Sequence, residues 1–499
     1  MDSLDPTSAR RPGRPPRALL GAGASRGLLG VTAALVVLAF AGPAAALTTS
    51  ADFVITGHGW GHGIGMSQWG AYGYAKHSWT YKQILKHYYT GIAFEIRPNV
   101  DVRVRLRSGL KQVQVSCPSA YTASAGATTL TIPAGATATT TWAGNAYHVV
   151  AGAATQGFAT PPTFTPSKGS LRILTATDLG DTGVYRGVIR VVRSSGALMM
   201  IDSVPLESYL RGVIPHEVSP SWPAEALKAQ ACAARAYVLN SREPSRSWDV
   251  YCDVRDQAYV GVGIEDPHTD AAVLATAGVT PTYNGQVISA YYFSCSGGHT
   301  ESIEYGWPGA SPEPYLKGVD DPYDSYASLH DWGPLRRTGA QLKSAIGSDG
   351  PLCAVVAVKQ GTSPRIVKAA IIGAGGVTFM DGNMLRMKLG LNSTWALFTS
   401  MSVTPAPADH VAIAAGGSVL LSGRMYPALP AGTTVRLHWY SGGAWHSHSV
   451  PTTRIVQKLG GGYSTTYSAY SDNQLPTETT KYYFQRSTCV SPTTTVTVK

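Results

Sequence analysis

The chain has 499 residues, enough for two or three folded units at roughly 100–200 residues each. Charged residues make up 14% against 44% hydrophobic, which excludes a largely disordered chain, and 54 glycines, 32 prolines and 26 tyrosines argue for strands and turns over a helix bundle or coiled coil. The net charge of +10 is scattered, with no dense basic run past the N-terminus, so nucleic acid is not an expected partner; a basic exported protein suits an anionic wall or membrane surface.

Residues 1–46 read as a signal peptide. Arg10, Arg11, Arg14, Arg17 and Arg26 precede the apolar run 28–40, and Ala44-Ala45-Ala46 supplies the small-residue cleavage pattern. That run is shorter than the about 20 residues a membrane span needs, and no later segment is long and apolar enough. The expected mature protein is soluble and extracellular, begins near Leu47 and keeps a net charge of +7 once five arginines and two aspartates are removed. In an oxidising compartment the even count of cysteines (Cys117, Cys232, Cys252, Cys295, Cys353, Cys489) favours disulfides, and the lack of any C-x-x-C pair argues against a Cys-rich zinc site. Cys232 and Cys252 form the expected pair, closing a loop of about 20 residues worth roughly 3 kcal/mol.

Along the mature chain, residues 52–98 open on a glycine-rich run and pass into a helical pattern over 80–89, stopped by Gly91. Residues 99–200 alternate, as in Val100-Asp101-Val102-Arg103-Val104-Arg105-Leu106, and read as strands and hairpins. Residues 201–400 mix helices with strands. After Pro223 comes the clearest helix, with Leu227, Ala231, Ala234 and Val238 on one face and Glu225, Lys228, Cys232 and Arg235 on a polar one. The segment 403–408 reads as a proline-punctuated linker. Beyond it, Thr/Ser/Tyr-rich alternation over 409–499 predicts a separate small sandwich of immunoglobulin-like type.

Two stretches carry chemistry. Gly57-His58-Gly59-Trp60-Gly61-His62-Gly63-Ile64-Gly65-Met66-Ser67-Gln68-Trp69-Gly70 spends too much chain entropy on glycine to be an idle loop. It is not a phosphate loop, and it reads as a ligand-lining loop, a structural turn, or a metal site through His58 and His62. In the second, Pro215-His216-Glu217, Pro215 pushes Ile214 extended, which places Glu217 in the connection before the long helix. A carboxylate there is either a general acid or a solvated loop glutamate.

These motifs, with Pro205-Leu206-Glu207, Ala226-Leu227-Lys228-Ala229-Gln230 through Arg235, Phe293-Ser294-Cys295-Ser296-Gly297-Gly298-His299-Thr300-Glu301 and, more weakly, Leu389-Gly390-Leu391-Asn392-Ser393-Thr394, resemble the SpoIID/LytB family over roughly residues 52–400. The resemblance implies an α+β fold: a strand-rich SpoIID-like catalytic domain with flanking helices over 47–400, ahead of the β-sandwich at 401–499. It also implies a lytic transglycosylase that cuts peptidoglycan glycan strands, preferably peptide-free, leaving 1,6-anhydro-muramic ends. The alternatives are a non-catalytic activator of a cell-wall amidase and a glycan hydrolase. Glu217 falls on the family's Pro-x-Glu glutamate, with Val218 where Met is usual. The glycine-rich histidine motif, commonly late in the domain, comes first here and should reach the same place from the other terminus. His62, Gln68, Lys228, Gln230, Arg235 and Ser294 are the candidates for binding the sugars. Some members carry zinc near the Ser-x-Ser-Gly-Gly motif. Cys295 and His299 are two ligands and not a site, so no metal or other cofactor is assigned. Glu207, Glu225 and Glu301 are candidate second carboxylates for a hydrolase.

Overall fold

The alternating run after Val100 becomes the strand Asp101–Leu110, which buries Val102, Val104 and Leu106 and pairs antiparallel with Ala197–Pro205. The computed structural model describes residues 49–180 and 182–499, so the expected signal peptide lies outside the described residues. Within 101–205 the strands form most of a seven-stranded and a six-stranded sheet, and their inward side chains, among them Val104, Val115, Ile189 and Met200, make one core.

The long helix, Ala224–Ser241, sits between two cores. Leu227, Ala231, Ala234 and Val238 face the sheet core, while Ala229, Cys232, Ala233 and Ala236 face a second cluster with Ile64, Met66 and Tyr88. The expected polar face is therefore mostly interior: Cys232 and Arg235 are fully buried, and only Glu225 and Lys228 form the anticipated surface pair, at 2.7 Å. The expected Cys232–Cys252 bridge is not formed, because all six cysteines are free and buried. The two thiols belong to different cores. Cys252 donates to the Leu106 carbonyl at 3.3 Å, and Cys232 lies 3.8 Å from Arg235 Nη1.

Strand Ser50–His58 pairs with Asp331–Thr338 on one side and Ala396–Val403 on the other. Phe53 and Ile55 pack there with Trp332, Ile366 and Phe398. The same sheet continues through Val419–Tyr426 to Tyr463–Gln474 and Thr453–Gly460, and a second sheet, with Thr434–Ser441 between Ala444–Pro451 and Thr480–Arg486, closes over it. Strand Ala396–Val403 crosses the 400/401 boundary, and Val54, Met401 and Val403 share a core with Leu421, Leu437 and Phe484. The proline-punctuated segment is built into this sheet, since Thr404 and Ser422 exchange both backbone hydrogen bonds. The fold is strand-rich α+β, and among the described residues no helix is long and apolar enough to cross a membrane.

Candidate active site

The motifs converge although the chain separates them. The end of the glycine-rich run, Met66–Ser67, pairs in parallel with Tyr292–Phe293, while Trp60 bridges Cys295 and Ile64 bridges Glu301. The late motif braces the same loop: Gly61 N–H donates to the Asn392 carbonyl and Ser393 Oγ to the His58 carbonyl. Glycine is needed where the segments touch. At Gly65, with φ +77°, a Cβ would lie 2.1 Å from the Tyr291 carbonyl oxygen, and at Gly59, with φ +71°, 2.6 Å from that of Ser296. The early histidine motif thus meets the Ser-x-Ser-Gly-Gly motif directly.

Glu217 ends a helical turn, Ile214–Glu217, with Pro215 in its first turn and Val218 extended after it. Its carboxyl receives Gln68 Nε2 at 3.4 Å, the Tyr292 hydroxyl and the Ala258 backbone N–H. Gln68 opens the helix Gln68–Lys76, whose cap Ser67 accepts from Gly70 N–H at 3.0 Å. Behind the carboxyl runs a chain of donors. Tyr209 hydroxyl donates to Gln257 Oε1 at 3.0 Å, Gln257 Nε2 to the Tyr292 hydroxyl at 2.9 Å, and Tyr292 to Glu217. Burial pushes the Glu217 carboxyl up to about 7, against the pull of these three donors toward the ionised form. Burial favours the acid, the donors favour the carboxylate, and the balance falls near neutrality.

Half-exposed rings stand next to Gln68 and shortly after Glu217. Trp69 and Tyr72 lie 4.9 and 5.2 Å from Trp222, and Tyr326 lies 5.3 Å from Tyr72. Nothing in composition singled these out, and Tyr292 and Gln257 were also missed. Tyr292 adjoins a quoted motif, whereas Gln257 carries no local signal.

The other sequence candidates scatter. His62 is boxed by Tyr291, Phe293 and Trp307; its Nδ1 accepts from Ile64 N–H at 3.0 Å, so Nε2–H donates to the Tyr292 carbonyl at 3.1 Å. Burial, with Arg386 adding to it, pushes the ring down to about 3, so it is neutral and holds the Tyr292 backbone. Lys228 is tied to Glu225, whose other oxygen caps the helix Tyr81–Tyr88 through Tyr81 N–H. Arg235 is clamped on Glu207 through Nε at 2.9 Å and Nη2 at 2.7 Å. Gln230 is 1% exposed, and its amide has no partner among the described residues. Ser294 accepts Trp69 N–H on its carbonyl. Glu301 is buried under Thr362, Ser363 and Ser302.

Cys295 and His299 supply two donors of the four a structural zinc takes. The Cys295 thiol is buried, and His299 Nδ1 is engaged by the Thr300 carbonyl. Among the described residues no three His, Cys, Asp or Glu side chains cluster for a metal.

Residues 194–283, which include Glu217 and the long helix, match the family model SpoIID, described as Stage II sporulation protein. That stretch is similar to the SpoIID family. It is 31% identical over 212 residues to Stage II sporulation protein D of Bacillus subtilis, covering 39% of this chain and 60% of that one. It is 39% identical over 115 residues to the amidase enhancer of the same organism, 23% of this chain and 15% of that one. An uncharacterized protein of Brachyspira hyodysenteriae is 36% identical over 138 residues, 27% of this chain and 37% of that one. The chain spans at most 60% of the length of these relatives. No solved structure matches. The SpoIID/LytB resemblance thus rests on the family match and these named relatives.

Proposed function

We propose that the protein is an exported cell-envelope enzyme that cleaves peptidoglycan glycan strands by lytic transglycosylation, with Glu217 as its single acid and base. The observation that carries this is the half-buried Glu217 carboxyl, held by neutral donors and pushed up to about 7. Such a group is populated in both protonation states near neutral pH. As acid it protonates the glycosidic oxygen and the C1–O bond breaks. As carboxylate it then takes the proton of the muramic acid C6 hydroxyl, whose oxygen closes on C1 as a 1,6-anhydro ring. No water is consumed. Gln68 and Tyr292 hold the carboxyl, and Trp69, Tyr72 and Trp222 offer ring faces to the sugars. Glu207, Glu225 and Glu301 are each engaged elsewhere, which favours this chemistry over hydrolysis, where a second carboxylate stands about 5–5.5 or 6.5–9.5 Å away. Signal peptide and immunoglobulin-like C-terminal module belong to the same reading.

The likeness to the amidase enhancer favours one other reading, a wall-bound activator of an amidase. Mass spectrometry of peptide-free glycan strands after incubation separates the outcomes. Anhydro ends are expected; reducing ends would mean a hydrolase, and intact strands together with stimulation of an added cell-wall amidase would mean an activator.

A further inference from the structure

We infer that the outer face of the C-terminal sheet is a second, non-catalytic binding surface for the glycan strand. The pleat sends alternate side chains of three adjacent strands away from the core. On Thr434–Ser441 these are Arg436, His438 and Tyr440, while Val435 and Leu437 point inward. The cross-strand neighbours of this row are Trp445 on the edge strand Ala444–Pro451 and Lys481 and Tyr483 on Thr480–Arg486. The rings form one patch: Tyr483 stacks on His438 at 4.6 Å with planes 8° apart, and Trp445 meets Tyr440 at 5.3 Å and Tyr483 at 5.2 Å. Trp445 is 51% exposed and Tyr440 40%, a large apolar area left open to solvent on a face turned from the core.

The composition of the patch selects its occupant. Ring faces edged by hydrogen-bonding groups suit the apolar faces of pyranose sugars. The basic residues at either end, Arg436 and Lys481, suit a polymer that carries carboxylates. The whole stretch 409–499 agrees, with seven basic residues against three acidic ones. Peptidoglycan glycan strands, which bear a lactyl carboxylate on each muramic residue, meet both demands; naming that polymer rests on the proposed function. A second grip on an insoluble polymer raises the local concentration of strands at Glu217 without touching the chemistry.

The test uses the full chain carrying Glu217→Gln, so that no strand is cut, and purified peptide-free glycan sedimented with it. Trp445→Ala with Tyr483→Ala should weaken co-sedimentation by about tenfold or more. On the native Glu217 background the same pair should leave cleavage of short soluble glycan fragments unchanged and slow cleavage of insoluble wall. Should the double variant melt early, Arg436→Glu with Lys481→Glu keeps the rings and should weaken binding most at low salt. Undiminished co-sedimentation in both variants overturns the inference. So does a dimer of the wild-type chain that Trp445→Ala dissociates, since a second copy then covers the face. Binding is read on the uncut polymer, so a failure to find anhydro ends would count against the Glu217 chemistry and not against this surface.

Discussion

Glu207 and Glu217 lie on neighbouring helical turns, Leu206–Arg211 and Ile214–Glu217, and both are glutamates of quoted motifs, yet their carboxyls meet opposite surroundings. Glu207 is gripped by Nε and Nη2 of a fully buried guanidinium, one on each oxygen, with Gly278 N–H on Oε1 at 3.1 Å. Glu217 has only neutral donors. The paired guanidinium makes Glu207 an anchor. At Glu217, dipoles without a cation leave the proton exchangeable and make the carboxyl an acid. The partner's charge, and not burial alone, separates the two roles.

The sharpest way to break this contrast is Glu217→Gln, which keeps size and hydrogen bonding and removes the proton. Cleavage of peptide-free glycan should fall about 10²–10⁴-fold. The native rate constant kcat/KM should decline as pH rises past about 7, where the acid form is lost. At alkaline pH the substitution should move stability the other way from function. The folded carboxyl sits near 7 against an ordinary value of 4.5, so the native state holds an extra proton between them, and its advantage fades as pH rises through that window. Glu217→Gln should therefore melt higher than the wild type at pH 8 and no higher at pH 4. A wild-type cleavage rate in the variant would remove Glu217 from the mechanism.

At Glu207 the converse is expected. Arg235→Leu strands a carboxylate and should cost about 3–5 kcal/mol in denaturant unfolding. Adding Glu207→Leu should recover much of that, because an apolar pair leaves no uncompensated charge. A cost that is unchanged in the double variant would mean that Arg235 matters through packing.

Tyr292→Phe probes the middle of the contrast. It removes one donor that favours the carboxylate, so the Glu217 carboxyl should rise above 7 and the alkaline limb of the pH–rate profile should move up with it. The rate at neutral pH should drop roughly tenfold, the scale of one hydrogen bond to a charged group. A rate loss with an unmoved limb would assign Tyr292 to packing alone.

Much of this was legible in the chain and some was not, for physical reasons. The period-two run after Val100 and the helical pattern over 80–89 stopped by Gly91 are local signals, and the strands and helix follow them. Glu217 was legible as a motif, but its titration depends on Gln68 and Tyr292, which arrive from 149 residues upstream and from beyond the long helix. Gln257 acts only because the fold threads it between Tyr209 and Tyr292. An even cysteine count says nothing of which core each thiol enters, and Cys232 and Cys252 enter different ones. His62 had the look of a ligand, and its burial with both nitrogens engaged was invisible without the aromatic box around it.

Lys228 gives the smallest effect and the finest discrimination. The sequence offered it as a holder of the sugar carboxylates, and the structure ties its ammonium to Glu225 one turn back, with both side chains partly open to water. An exposed i, i+3 pair of this kind contributes about 0.2–1 kcal/mol, so Lys228→Gln should shift unfolding by no more than that. If the pair is all that Lys228 makes, KM for glycan strands should change less than twofold at any salt concentration. If the ammonium instead leaves Glu225 for the substrate, KM should rise about tenfold with kcat unchanged, and the defect should shrink as salt screens the wild-type contact. Glu225→Gln alone decides between them: it frees the ammonium of wild-type Lys228, and a KM lowered by that single change would place Lys228 within reach of the strand.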